Sequence, residues 1–369
     1  MKTFSTRAAI AAAATLGLTG VASAHEAWLL TPQEMFELAA APKPAIFTNV
    51  FYSAPLVAAL AAVVFGAVVS ETRWQAIENR VMRPLADRVG DLGPLAVRIG
   101  LAIMLFAASL GLLPAPNVAI GTAPTLFVPD MQLKLLVDAW GFLALVQVLL
   151  SLVLVSGIGT RFAGLGVALL AVLGLGLFGE TFIAYAGHFF VPGLYLAFAG
   201  AGRFRLSLPA AVAGRLPAST LLDRLAVTPT VYRVLMAIFG ANFAYLGIAY
   251  KLMHPTMLVA ILEHGEFPNF GIDYGVIVFV MTFVEVSAGL LLVAGILVRP
   301  IAIFLISAFT MFALTLGETP LFHANLYAMA FVLLMAGAGS RSTAARRLGL
   351  GIQRMIRRKR FARLAEQAA

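Results

Sequence analysis

Few side chains in this sequence of 369 residues can do chemistry, and Glu285 is the sharpest of them. It lies about ten residues into the apolar stretch 275–297, a depth at which an ionised carboxylate costs several kcal/mol unless it is paired or protonated. An acid placed there can exchange protons with a bound ligand or pair with a cation, and Lys251 is the candidate cation. All five histidines (His25, His188, His254, His264 and His323) fall at the outer face or in the outer third of an apolar stretch. Glu180 and Glu318 stand a few residues before His188 and His323. Brought into one outer vestibule, these carboxylates and imidazoles can bind a metal or relay a proton near neutral pH. They equally suit a plain structural role, with glutamates capping helix starts and histidines satisfying polar helix ends. Tyr185, Tyr245, Tyr250 and Tyr327 can add hydrogen bonds or anchor the chain at the membrane interface.

His25 offers a separate chemistry. Cleavage after Ala24 makes it the first residue, so its amino group and ring nitrogen form a chelate suited to copper, with His254 or His264 as a further ligand. The chain has no cysteine, which excludes a thiol relay, disulfides and c-type haem attachment. No Gly-rich phosphate loop follows a strand, and no Ser-His-Asp order or His-Glu-x-x-His motif occurs.

The elements that must hold these groups are membrane helices. Hydrophobic residues make up 61% of the chain and charged ones 12%, with mean hydropathy +0.95, a composition outside the soluble range. Backbone groups in hydrocarbon must be satisfied within the chain, and long continuous apolar runs choose helices over a barrel. Residues 1–24 read as a secretory signal: Lys2 and Arg7, an apolar core from Ala8 to Leu18, then Ala22-Ser23-Ala24 as cleavage site. Nine spans are predicted after it, at 46–69, 98–114, 134–157, 163–178, 183–200, 233–251, 275–297, 300–316 and 322–339.

Charge orients them. With the mature N-terminus outside, 21 of the 24 Lys and Arg after the signal lie on the cytoplasmic side, and only Lys43, Lys134 and Lys251 lie outside. The net charge of +9 is thus mostly a topology signal and does not point to nucleic acid. The expected location is a bacterial inner membrane, with lipids as the first partner and the C-terminus cytoplasmic.

The chain is also written twice. Pro94, Arg98, Ala102 and Ile103 return as Pro229, Arg233, Ala237 and Ile238. Gly157 and Arg161 return as Gly295 and Arg299, Gly179-Glu180-Thr181 as Gly317-Glu318-Thr319, and 199–202 as 336–339. An even number of spans per copy gives both copies the same orientation, related about the membrane normal. The organisation expected is a signal (1–24), an outer segment with the first span and a cytoplasmic loop (25–97), and a four-helix repeat (98–205). A linker (206–228), a second four-helix repeat (229–341) and a basic tail (342–369) follow. The tail mixes Leu348, Ile352, Ile356, Phe361 and Leu364 with dense Arg, a pattern for an amphipathic helix on the anionic leaflet or for a solvated basic segment.

The second copy runs Arg233, Gly247-x-x-x-Lys251, Val284-Glu285-x-x-x-Gly289, Gly295-x-x-x-Arg299, His323 and Gly337-Ala338-Gly339. It resembles a DoxX-type four-helix membrane unit, the family that includes the DoxD subunit of thiosulfate:quinone oxidoreductase. The first copy resembles it less, since Gln147 stands where the second has Glu285 and no basic residue matches Lys251. The resemblance implies a helical bundle linked to respiratory or sulfur redox chemistry at the quinone pool, working with a redox or membrane partner protein. Three functions stay open on these residues: a quinone-linked subunit, a copper-handling protein or small-solute transporter, and a scaffold without catalysis. Because repeat two alone holds Glu285 and Lys251, any chemistry is expected there.

Overall fold

The computed structural model describes residues 30–113, 119–133, 140–206, 221–316 and 323–338. Among the described residues the protein is helical throughout, without a strand beyond a single bridge between Thr125 and Gln132. The signal, the basic tail, most of the linker, His25 and Glu318 lie outside the described residues.

The chain enters through α1 (Pro32–Ala40), whose start is set by a capping box between Thr31 and Glu34. The backbone and side-chain bonds from Thr31 hold the Glu34 carboxyl below the ordinary carboxylate range. A single turn, Ala45–Thr48, leads to α2 (Val50–Val69), an apolar helix whose residues stay exposed to its surroundings. A short helix α3 (Glu71–Ile77), a π turn (Glu78–Met82) and a further helix (Arg83–Val89) then lead into the bundle.

Among the described residues eight helices follow, with one extra between the fifth and sixth of them. They are α4 (Gly93–Ser109), α5 (Trp140–Ser156), α6 (Thr160–Phe178), α7 (Glu180–Ala199), α8 (Pro229–Leu246), α10 (Tyr274–Ala294), α11 (Val298–Thr315) and α12 (Ala324–Ala336). The extra one, α9 (Pro255–His264), comes after a π turn at Gly247–Leu252. Among the described residues seven helices are long and apolar enough to cross a membrane, and α5 and α12 are shorter apolar helices. The helical segments coincide with the apolar runs, because a chain without other hydrogen-bond partners closes its own backbone ladder.

Packing runs in pairs. α4 lies on α5, α6 on α7, α8 on α10, and α11 on α12; α4 also packs on α12, and α8 on α7. One apolar core continues through all of them, from Val97 and Leu101 to Leu292 and Leu333. The exception is α10 against α11, which are consecutive in the chain yet scarcely touch along their lengths.

One end of the bundle is tied by arginines. Arg161 donates to the carbonyls of Ala197 and Phe198 at the end of α7 (2.8 and 2.6 Å). Arg299 does the same for Leu334 and Met335 at the end of α12 (2.8 and 2.9 Å) and meets Glu78 at 3.0 Å. Arg98, fully buried, reaches the carbonyls of Leu154, Val155, Ala201 and Phe204. The last carbonyls of a helix have no partner within it, so a guanidinium fork placed there satisfies them and opposes the negative helix end. Gly200 and Gly337, at φ 75° and 62°, end α7 and α12 in a conformation that favours glycine, and each leaves room for its arginine.

Glu71 sits at this basic end, accepting the N–H of Leu297 at 3.2 Å. Burial, followed by repulsion from Glu78, pushes its carboxyl above the ordinary range against the lowering effect of the Leu297 bond. A raised carboxyl binds its proton more tightly in the folded than in the unfolded chain, so stability falls as pH rises through that window and stays lower above it. Glu71→Gln keeps an acceptor for Leu297 and removes the charge. It is expected to raise the thermal midpoint by about 2 °C at pH 8 and to leave it unchanged at pH 4, read by differential scanning calorimetry.

Candidate functional site

A cavity of about 510 Å³ opens between α10 and α11, at the place where these helices part. Its walls are mostly apolar and aromatic, with Phe189, Phe243, Phe309 and Phe312 among them, and its polar groups are few and convergent. Lys251, Glu285, His188 and His323 all face it. Phe304 and Met311 of α11 line the cavity and are 45% and 44% exposed, so the cavity reaches the side of the bundle there.

Each polar group is brought there by a local feature. Lys251 is the last residue but one of the π turn at Gly247–Leu252, and it is buried although it stands near a helix end. Gly247 has no side chain, which lets Val286 and Glu285 come close. The Lys251 ammonium then meets Glu285 Oε2 at 2.9 Å, with both side chains largely buried. Two buried opposite charges are tolerable because each replaces the solvation the other has lost.

His188 comes from the middle of α7, with its ring 4.9 Å from Phe243 and 5.8 Å from Phe239. Pro192 lies four residues on and has no N–H to give the His188 carbonyl, and Asn325 Nδ2 donates to it instead at 3.0 Å. A gap in the α7 ladder thereby fixes the start of α12 beside the site. His323 stands at the N-cap position of that same helix and stacks on Phe309, with ring centroids 5.5 Å apart and nearly parallel. Asn242 of α8 makes the corresponding tie on the other side, donating to the Ile183 and Ala184 carbonyls.

The segment 123–133 closes one end of the cavity. It is a small hairpin, with the Leu126 N–H on Met131 and the Leu133 N–H on Pro124, and Leu126, Phe127 and Leu133 are fully buried. Phe127 takes φ 65°, costly for a residue with a side chain, and its ring stacks 4.3 Å from Phe189. Gln147 holds this plug: its Oε1 accepts the Phe127 N–H (3.0 Å) and its Nε2 donates to the Thr125 carbonyl (2.8 Å). Val128 and Pro129 at the tip face the cavity.

The positions singled out in the sequence therefore divide. Glu285, Lys251, His188 and His323 come together, on four different segments. Glu180 is exposed at the first turn of α7, where Gly179 holds the N-cap position and no side-chain capping bond is made, and it does not line the cavity. His254 is exposed at the start of α9, and His264 lies 3.8 Å from Glu34 near α1, neither of them on the cavity wall. Glu318 and His25 lie outside the described residues, and among those described no group of three or more His, Asp or Glu is placed to hold a metal ion. Residues that sequence reasoning passed over are Asn242, Asn325, Asp130 and the plug. The signal for the plug was an apolar run, Leu126-Phe127-Val128, too short for a span in a stretch between spans. Compared with known proteins, the chain matches no family model, no curated protein and no solved structure.

Proposed function

We propose that this chain is a quinone-binding subunit of an inner-membrane redox system, built as nine spans in which two DoxX-like four-helix units follow a first span. In this reading the units share one orientation, the mature N-terminus is outside and the arginine end faces the cytoplasm. The matched roles of Arg161 and Arg299 at the ends of α7 and α12 support the duplication.

The observation that carries the functional reading is the lateral opening between α10 and α11 onto an apolar cavity holding a buried ion pair. A water-soluble substrate has no use for a door facing lipid. A quinone does: its head group sits among Phe243, Phe309 and Phe312 while its isoprenoid tail leaves between the two helices. Reduction of the quinone consumes two electrons and two protons and yields the quinol. The electrons come from a redox partner protein, since the chain has no cysteine, and the protons pass through Glu285 and the imidazoles of His188 and His323. The Lys251 ammonium stabilises negative charge on a quinone oxygen during transfer.

Protein purified in a mild detergent is expected to carry about one quinone per chain, measured by solvent extraction and chromatography. Glu285→Gln is expected to lower that occupancy at least about tenfold, the loss of one charge-assisted contact in a buried site. Wild-type protein free of quinone would contradict the reading and favour transport of a small solute through the same cavity. Should Glu285→Gln not accumulate, the paired variant Lys251→Met with Glu285→Leu supplies the comparison.

A further inference from the structure

We infer that Asp130, Tyr185 and His188 form the proton entry to the cavity, at the plug end of the bundle; this rests on the quinone reading. Asp130 stands at the tip of the plug, partly exposed to the surroundings. The Tyr185 hydroxyl donates to its Oδ2 at 2.8 Å. Tyr185 itself lines the cavity, so one residue touches both the plug carboxylate and the ligand space. His188 follows three residues later on α7, on the same helix face, and lines the cavity too. The acid is bonded to the phenol, and the phenol and the imidazole line the same cavity about one helical turn apart.

The other groups around these three are accounted for. The Tyr250 hydroxyl, near enough to Asp130 for their charges to interact, donates to the Thr181 carbonyl at 3.0 Å. Lys251 and Glu285 hold each other on the wall of α8 and α10, and His323 stacks on Phe309 at the start of α12. The opposite end of the bundle offers no matching acid-to-cavity link among the described residues. Arg98, Arg161 and Arg299 close it by binding helix carbonyls, and a guanidinium does not release protons at ordinary pH.

The step balances. Asp130 takes a proton from water, the Tyr185 hydroxyl turns from Asp130 to face inward, and Asp130 then passes its proton to the Tyr185 oxygen as the hydroxyl proton leaves on the inner side. The His188 ring receives that proton and delivers it to a quinone oxygen. Two such passages, with two electrons from the redox partner, complete the quinol and return every relay group to its starting state.

The full chain loaded with decylubiquinone and reduced by excess dithionite tests this in a stopped-flow instrument. Asp130→Asn preserves the shape and the acceptor for Tyr185 but cannot carry a proton, and Tyr185→Phe removes the link. Each is expected to slow quinone reduction at least about tenfold, with unchanged quinone occupancy and thermal midpoint. Formate, a small soluble acid, is expected to restore much of the rate in Asp130→Asn and to leave the wild type unaffected. Wild-type rates in both variants would overturn the inference, and so would a slow Asp130→Asn that formate does not rescue, since that marks a structural role. A wild-type chain that holds no decylubiquinone would overturn the functional reading as well, a failure separable from the other two.

Discussion

Lys251→Met is expected to destabilise the protein by about 3–5 kcal/mol, the cost of leaving a buried carboxylate without its cation. Glu285→Leu is expected to cost a similar amount, because it strands the Lys251 ammonium among Phe243, Leu246 and Leu258. The pair Lys251→Met with Glu285→Leu is expected to recover most of that loss, to within about 1 kcal/mol of wild type, since matched apolar side chains replace a buried ion pair at little cost. Denaturant unfolding in detergent, followed by circular dichroism, measures all three. The double variant is expected to fold yet carry no quinone. Stability and binding then separate: the pair is kept for its chemistry, not for the fold. Additive losses in the double variant would show that Lys251 and Glu285 do not act as one unit.

Gln147 carries the second large effect. Gln147→Leu leaves the Phe127 N–H and the Thr125 carbonyl buried without a partner, at about 1–3 kcal/mol each. Gln147→Glu, measured at pH 8, is expected to be at least as harmful, by several kcal/mol. A carboxylate can accept from Phe127, but it has no donor for the Thr125 oxygen and repels it instead. Thermal unfolding and proteolysis at the plug report both variants. A Gln147→Glu protein as stable as wild type would mean that the plug is not held by this side chain.

That amide also shows where the sequence was legible and where it was not. Gln147 and Glu285 stand at matching places in the repeat read from the sequence, and the difference between them is readable as chemistry against its absence. What the difference serves is not readable. Around Gln147 a hairpin fills the interior and asks for one donor and one acceptor; around Glu285, Lys251 faces an open cavity and asks for a charge. Both demands come from backbone groups and segments distant in sequence, which leave no periodicity of their own.

The helices were legible because apolar runs of span length have one way to satisfy their backbones. Their ends were less so: the last helix runs Ala324–Ala336 inside the expected 322–339, with Gly337 stopping it. Of the glycines and arginines read as architecture, Arg161 and Arg299 have matching jobs, each binding the last carbonyls of a helix. Arg98 and Arg233 match in sequence but not in place, since Arg98 is buried on four carbonyls and Arg233 is exposed. Spacing alone cannot reveal that split. Nothing in the spacing of the histidines distinguishes His188 and His323, which are buried, from His254 and His264, which are exposed. The buried pair depends on Pro192, which opens the α7 ladder so that Asn325 docks α12 against it.

A photoreactive azidoquinone, cross-linked to the purified full chain and mapped by peptide mass spectrometry, tests the central claim most directly. If the cavity between α10 and α11 holds quinone, label falls on peptides of these helices, on residues such as Met281, Val284, Phe309 and Met311, and excess unlabelled quinone removes it. Label spread over the exposed apolar surface, with α2 marked as heavily as α10 and no loss under competition, would contradict a quinone site in this protein.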